Sequence, residues 1–106
     1  MPKLTFIHPD GSHSVVDAPV GKSVMEAARA ADIRGIRAEC GGECACSTCH
    51  CYVDSSWIER LPIAKADEVG LIEFAWEPKR GSRLTCQLLV TEELDGLILH
   101  LPERQL

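Results

Sequence analysis

Six cysteines carry the chemistry open to this chain. Five fall within twelve residues, Cys40, Cys44, Cys46, Cys49 and Cys51, and the sixth, Cys86, stands alone downstream. Thiolates are soft ligands, suited to iron–sulfur clusters and to zinc. Structural zinc sites bring two close ligand pairs, such as C-x2-C with a second C-x2-C or an H-x3-H. Here Cys46 and Cys49 make one such pair, but Cys86 has no neighbouring cysteine or histidine. Several ligands in one loop with one remote thiolate is an iron–sulfur layout, with a zinc-stabilised interaction module as the alternative. Disulfides are disfavoured, because five of the thiols crowd too closely to pair without strain and the N-terminus shows no secretion signal. His50 adjoins the run, yet a Rieske-type site needs two histidines at their own cysteine spacing, a pattern this sequence lacks.

The rest of the chain must fold around that segment. Its 106 residues fit one domain, 1–106, able to bury roughly two-thirds of its unfolded surface. Apolar and charged contents of 45% and 25% are those of an ordinary soluble protein. No apolar run approaches the roughly 20 residues of a membrane span, so no membrane role is expected. A cytoplasmic location is the simplest reading of the N-terminus. A net charge of −5 argues against nucleic acid. The acid is uneven: residues 54–78 hold 2 basic and 6 acidic side chains, a net −4. Such a segment is either a solvated helix face or a docking surface for a basic partner.

Residues 3–8 alternate, with Leu4, Phe6 and His8 on one side, and Pro9-Asp10-Gly11-Ser12 is a turn leading into a second β-prone run over 13–18. Ser23 with Glu26 is a capping box that starts a helix to about Asp32, whose apolar face is Val24, Ala27, Ala28 and Ala31. From Arg34 to Cys49 there is no periodicity, only a glycine-bearing loop of functional length. A short strand is expected near Tyr52 and Val53, and a short helix capped by Ser55 or Ser56 that ends before Pro62. Residues 65–77 read as a second main helix with Val69, Ile72 and Trp76 on one face. Residues 78–82 read as a loop, 86–90 as a buried strand, 91–95 as a turn or short helix, and 97–101 as the last strand. This order predicts an α+β fold of β-grasp layout, a mixed sheet with one main helix packed across it and a long cysteine loop.

Cys40-x5-Cys46-x2-Cys49, then Cys86-Gln87, resembles the ligand pattern of the adrenodoxin/putidaredoxin-type 2Fe–2S ferredoxins. Cys46-Ser47-Thr48-Cys49-His50, Ser82-Arg83-Leu84 and Glu93-Leu94-Asp95-Gly96-Leu97 resemble that family's blocks, as do the opening hairpin and Val24-Met25-Glu26-Ala27-Ala28. The resemblance covers nearly the whole chain. It implies that Cys40, Cys46, Cys49 and Cys86 hold a 2Fe–2S cluster, leaving Cys44 and Cys51 as small buried side chains. Gly41 and Gly42 would let backbone N–H groups wrap the negative cluster, with Ser47 and Thr48 as further donors. His50 would link the loop to the helical region or simply pack.

The family's function implies a one-electron carrier, not an enzyme in itself, working as a monomer. It would take electrons from an NAD(P)H-dependent, flavin-dependent ferredoxin reductase and pass them to a cytochrome P-450 monooxygenase; donation to iron–sulfur cluster assembly machinery is the alternative. Asp67, Glu68, Glu73 and Glu77 are the docking candidates, with Glu39 adding charge beside the first ligand. The chain departs from its relatives at Gly70, an acidic position in the adrenodoxin branch, at Arg34 and Arg37 before Cys40, and at Leu106, where putidaredoxin-like relatives end in an aromatic partner contact.

Overall fold

The computed structural model describes residues 1–31, 33, 50–73 and 77–102. The alternation at the N-terminus makes β1 (Lys3–Ile7), with Leu4 and Phe6 fully buried and Thr5 and Ile7 partly covered. It pairs antiparallel with β2 (His13–Asp17). The Asp10 carboxylate holds the turn by accepting the Ser12 N–H (2.9 Å) and hydroxyl (2.6 Å), while Gly11 takes φ +90°, which side chains resist.

Helix α1 (Val24–Ala30) begins at the expected capping box. Ser23 Oγ accepts from the Glu26 N–H (3.0 Å), and Glu26 Oε1 accepts from the Ser23 N–H (3.1 Å). Such a cap contributes ~1 kcal/mol. Val24, Ala27 and Ala28 enter the core with Met25, whereas Ala31 is the exposed C-cap.

Strand β3 (His50–Val53) starts one residue after Cys49 and runs antiparallel to both β4 (Ser82–Leu84) and β5 (Ile98–His100). β5 is parallel to β1. Among the described residues the order is β2-β1-β5-β3-β4, a mixed β-grasp sheet whose core includes Leu4, Phe6, Val24, Leu84, Leu97 and Leu99. Gly81 permits the β3–β4 approach: its carbonyl accepts the Val53 N–H, and a Cβ there would meet the Val53 carbonyl oxygen at 2.6 Å.

Several elements differ from expectation. The strand read at 86–90 is a 3-10 turn, Thr85–Gln87, followed by extended chain. Among the described residues the β3–β4 ladder ends where Leu84 pairs with His50. Beyond it the chain bonds to the start of α1 instead: the Val24 N–H donates to the Leu88 carbonyl and the Val90 N–H to the Lys22 carbonyl, both 2.8 Å. The short helix is a 3-10 turn, Ile58–Arg60, with no side-chain cap; Asp54 accepts from Ser56 just upstream. The turn at 91–95 and the last strand fall where expected.

Helix α2 (Ala66–Ile72) also differs in its inward face. Ile72 packs inward as expected, but Val69 is exposed, and Glu68 and Leu71 join Ile72 on the inward face. These three share the helical i, i+3, i+4 stripe. Arg83 on β4 decides the rotation: its Nε donates to Glu68 Oε2 (2.7 Å) and its Nη2 to Oε1 (3.1 Å). Phe74 and Trp76 lie outside the described residues. No helix among the described residues is long and apolar enough to cross a membrane.

Candidate metal centre

Cys86 sits in the middle of the Thr85–Gln87 turn, half-buried and packed against the core. The turn is fastened on both sides. Before it, the Leu84 N–H donates to Glu68 Oε2 at 2.9 Å, so the buried carboxylate holds β4 as well as Arg83. After it, Leu88 and Val90 bond to the α1 entry. Thr85 points fully inward and Gln87 outward, leaving the Cys86 sulfur at the edge of the core. The Gln87 side-chain amide donates to that sulfur at 3.4 Å.

Cys51 has the opposite environment. It is fully buried on β3, and burial pushes its thiol far above the ordinary range. A thiol held neutral by apolar surroundings is a poor metal ligand, so Cys51 is core, as expected. Of the two described thiols, Cys86 alone is partly exposed.

His50 is fully buried, with Nε2 2.8 Å from Ser82 Oγ and its ring edge-on to Tyr52 at 4.7 Å. Desolvation, and secondarily the Lys79 charge, lower its pKa to about 4, so the ring is neutral near pH 7. Ser82 Oγ also accepts the Lys79 N–H at 2.7 Å. The first residue of β3 is thereby tied to β4 and to the turn that follows the α2 region. Cys40, Cys44, Cys46, Cys49, Gly41, Gly42, Ser47, Thr48, Glu39 and Leu106 lie outside the described residues.

The acidic segment divides. Asp67, Glu73 and Glu77 are exposed, whereas Glu68 is only 2% exposed and accepts three hydrogen bonds. The expectation of Glu68 as a docking residue is therefore corrected: its charge is spent on Arg83, which also donates to the Pro62 carbonyl at 2.7 Å. The signal available beforehand was Arg83 itself, a cation set between a serine and a leucine on a short strand, which needs an acid nearby to be buried. Glu77 takes a left-handed φ of +45°, and its carbonyl accepts the Tyr52 hydroxyl at 2.8 Å.

Residues 7–91 match the family model described as a 2Fe-2S iron-sulfur cluster binding domain. The chain belongs to the 2Fe–2S ferredoxins of the adrenodoxin/putidaredoxin type. This ferredoxin is 47% identical to rhodocoxin of Rhodococcus erythropolis over 106 residues, 99% of each chain. A crystal structure of a ferredoxin from Rhodopseudomonas palustris HaA2 is 48% identical and superimposes with a TM-score of 0.96, covering 99% of this chain and 100% of that one. Putidaredoxin of Pseudomonas putida is 39% identical over 106 residues, 99% of each chain. A putidaredoxin chain solved in covalent complex with putidaredoxin reductase gives a TM-score of 0.90 at 38% identity, over 96% of this chain and 99% of that one.

Membership sets aside the zinc-stabilised module: the cofactor is a 2Fe–2S cluster and the role is electron transfer. The described residues fit that group where they meet it. They offer one half-exposed sulfur on a turn pinned at both ends, with an amide donor beside it and a neutral buried histidine at the start of the adjoining strand.

Proposed function

We propose that the ferredoxin, acting as one domain over residues 1–106, binds its cluster through Cys40, Cys46, Cys49 and Cys86. We propose further that it carries single electrons from an NAD(P)H-dependent flavoprotein reductase to a cytochrome P-450. The observation that carries this reading is the likeness, over nearly the full chain, to putidaredoxin solved joined to its reductase. When bound, the cluster supplies a one-electron couple. The protein's own residues hold the ligand turn rigid and keep His50 neutral. They also leave Asp67 on α2, Glu73 at its C-terminus and Glu77 beyond it exposed to a basic partner. No substrate bond is made or broken, so the protein works as a carrier and not as an enzyme. Gly41, Gly42, Ser47 and Thr48 are assigned donor roles around the cluster, and Glu39 and Leu106 contribute to partner contact.

The test is reconstituted turnover with purified holoprotein, a ferredoxin reductase and a P-450, run beside an iron–sulfur cluster assembly assay. NAD(P)H-driven monooxygenation that saturates with this ferredoxin supports the reading. Reduction by the reductase with no P-450 turnover, together with activity in the assembly assay, would move the acceptor to the assembly machinery.

A further inference from the structure

We infer that the Gln87 side-chain amide is a tuning donor: by hydrogen-bonding the Cys86 sulfur it raises the reduction potential of the bound cluster. The inference rests on the ligand role proposed for Cys86.

Gln87 Nε2 lies 3.4 Å from Cys86 Sγ, within the longer range of hydrogen bonds to sulfur. The geometry does not depend on a mobile backbone. The carbonyl of Thr85, the first residue of the turn, accepts from the Leu88 N–H (3.3 Å). Glu68 fixes the chain just before the turn and the α1 entry fixes it just after. Thr85 is buried, so the turn has one inward side chain, one half-buried ligand candidate and one outward amide.

The outward amide stands on the wall of a cleft of about 480 Å³ that it shares with Arg60, Pro62, Arg83, Leu89 and Glu93. Its replacement therefore leaves the core untouched. Reduction adds negative charge that is shared with the ligand sulfurs. A donor aimed at one of them favours the reduced form more than the oxidised one, and hydrogen bonds to sulfur are a recognised control of cluster potential. The amide is neutral, so its influence is short-ranged and insensitive to salt, unlike that of a surface charge.

Spectroelectrochemical titration of the holoprotein tests this with Gln87→Met, which keeps the length of the side chain and removes the donor. The 2Fe–2S visible spectrum should persist. At a fixed ambient potential the reduced-to-oxidised ratio should fall about threefold to tenfold, the worth of one modest hydrogen bond. For one electron that is a potential about 30 to 60 mV lower. Gln87→Asn, whose amide is one methylene short, should fall similarly and serves if the Met variant loads poorly. Gln87→Glu should fall further at low salt and recover part of the way at high salt. Resonance Raman of the Fe–S(Cys) stretches should show a smaller H2O/D2O shift in Gln87→Met than in the parent.

A Gln87→Met protein with a native spectrum, a ratio within about twofold of the parent and an unchanged isotope shift overturns the inference while leaving Cys86 a ligand. Cys86→Ser with a native spectrum and potential overturns the ligand reading itself.

Discussion

Replacing Glu68 by Gln should unfold this ferredoxin more readily than any surface acid change on the same helix. The Glu68 carboxylate is 2% exposed and accepts from Arg83 Nε at 2.7 Å, Arg83 Nη2 at 3.1 Å and the Leu84 N–H at 2.9 Å. The Arg83 side chain is itself only 13% exposed, so the variant leaves a guanidinium without its counter-charge in a low-dielectric site. Breaking one side of a buried pair costs about 3 to 5 kcal/mol. A neutral amide retains part of the hydrogen bonding, so ~3 kcal/mol is expected, about a hundredfold in the folded-to-unfolded ratio.

For a chain of this size that lowers the melting temperature by roughly 12 to 24 °C. The double variant Glu68→Met/Arg83→Met should recover much of the loss, because both charges are gone, although the Leu84 N–H remains unsatisfied at about 1 to 3 kcal/mol. Asp67→Asn, exposed one residue earlier, should stay within about 0.5 kcal/mol of the parent. Far-UV circular dichroism and bleaching of the cluster absorbance, scanned at one rate, give the ranking. A Glu68→Gln protein that melts like Asp67→Asn would refute the clamp. So would a Glu68→Gln protein that melts normally but binds the reductase poorly, which would return Glu68 to the docking surface.

Two further outcomes are expected. Glu73→Lys should raise the KM for the reductase with kcat and melting temperature nearly unchanged, and added salt should mimic it by screening; transfer insensitive to both would make the acidic segment a solvated face. Asp54 is held at about 2, below the usual carboxylate range, chiefly by its hydrogen bond to His100 (2.8 Å) and then by Ser56. A depressed folded pKa gives stability that is present above the unfolded value, 3.8, and lost as pH falls toward about 2. Melting temperature against pH should therefore flatten below about 4 in Asp54→Asn. The loss near neutrality should stay under about 1 kcal/mol, because the pair is solvent-screened. An unchanged slope would show that His100 does not hold the carboxylate.

Much of the scaffold was legible in the residues because the signals are local. Ser23 and Glu26 are three apart, so their reciprocal cap needs only one helical turn. Asp10, Gly11 and Ser12 make their own turn, and the alternation of Leu4 and Phe6 with Thr5 and Ile7 sets which side of β1 is buried. At the site, Cys51 reads as core from its place on the strand after the loop, and the structure buries it completely.

The crowded cysteines, their spacing and the single remote thiol were sufficient, with the surrounding blocks, to identify a 2Fe–2S ferredoxin. What the sequence left open is which acid turns inward on α2. Asp67, Glu68 and Glu73 are all acceptable on a solvated helix, and only the approach of Arg83, 15 residues from Glu68, rotates one of them into the protein. The chain around Cys86 was decided in the same way. Leu88, Leu89 and Val90 have the composition of a strand, but among the described residues the β3–β4 ladder ends at the His50–Leu84 pair, and the backbone beyond it turns and bonds to the entry of α1. Local pattern determined the cap and the hairpin, and the resemblance of the motif blocks to a known family carried the cofactor. Tertiary contact between distant segments decided where one carboxylate's charge is used and how the remote thiol Cys86 is held, because a buried ion pair and a strand's last hydrogen bond depend on a partner that no local pattern supplies.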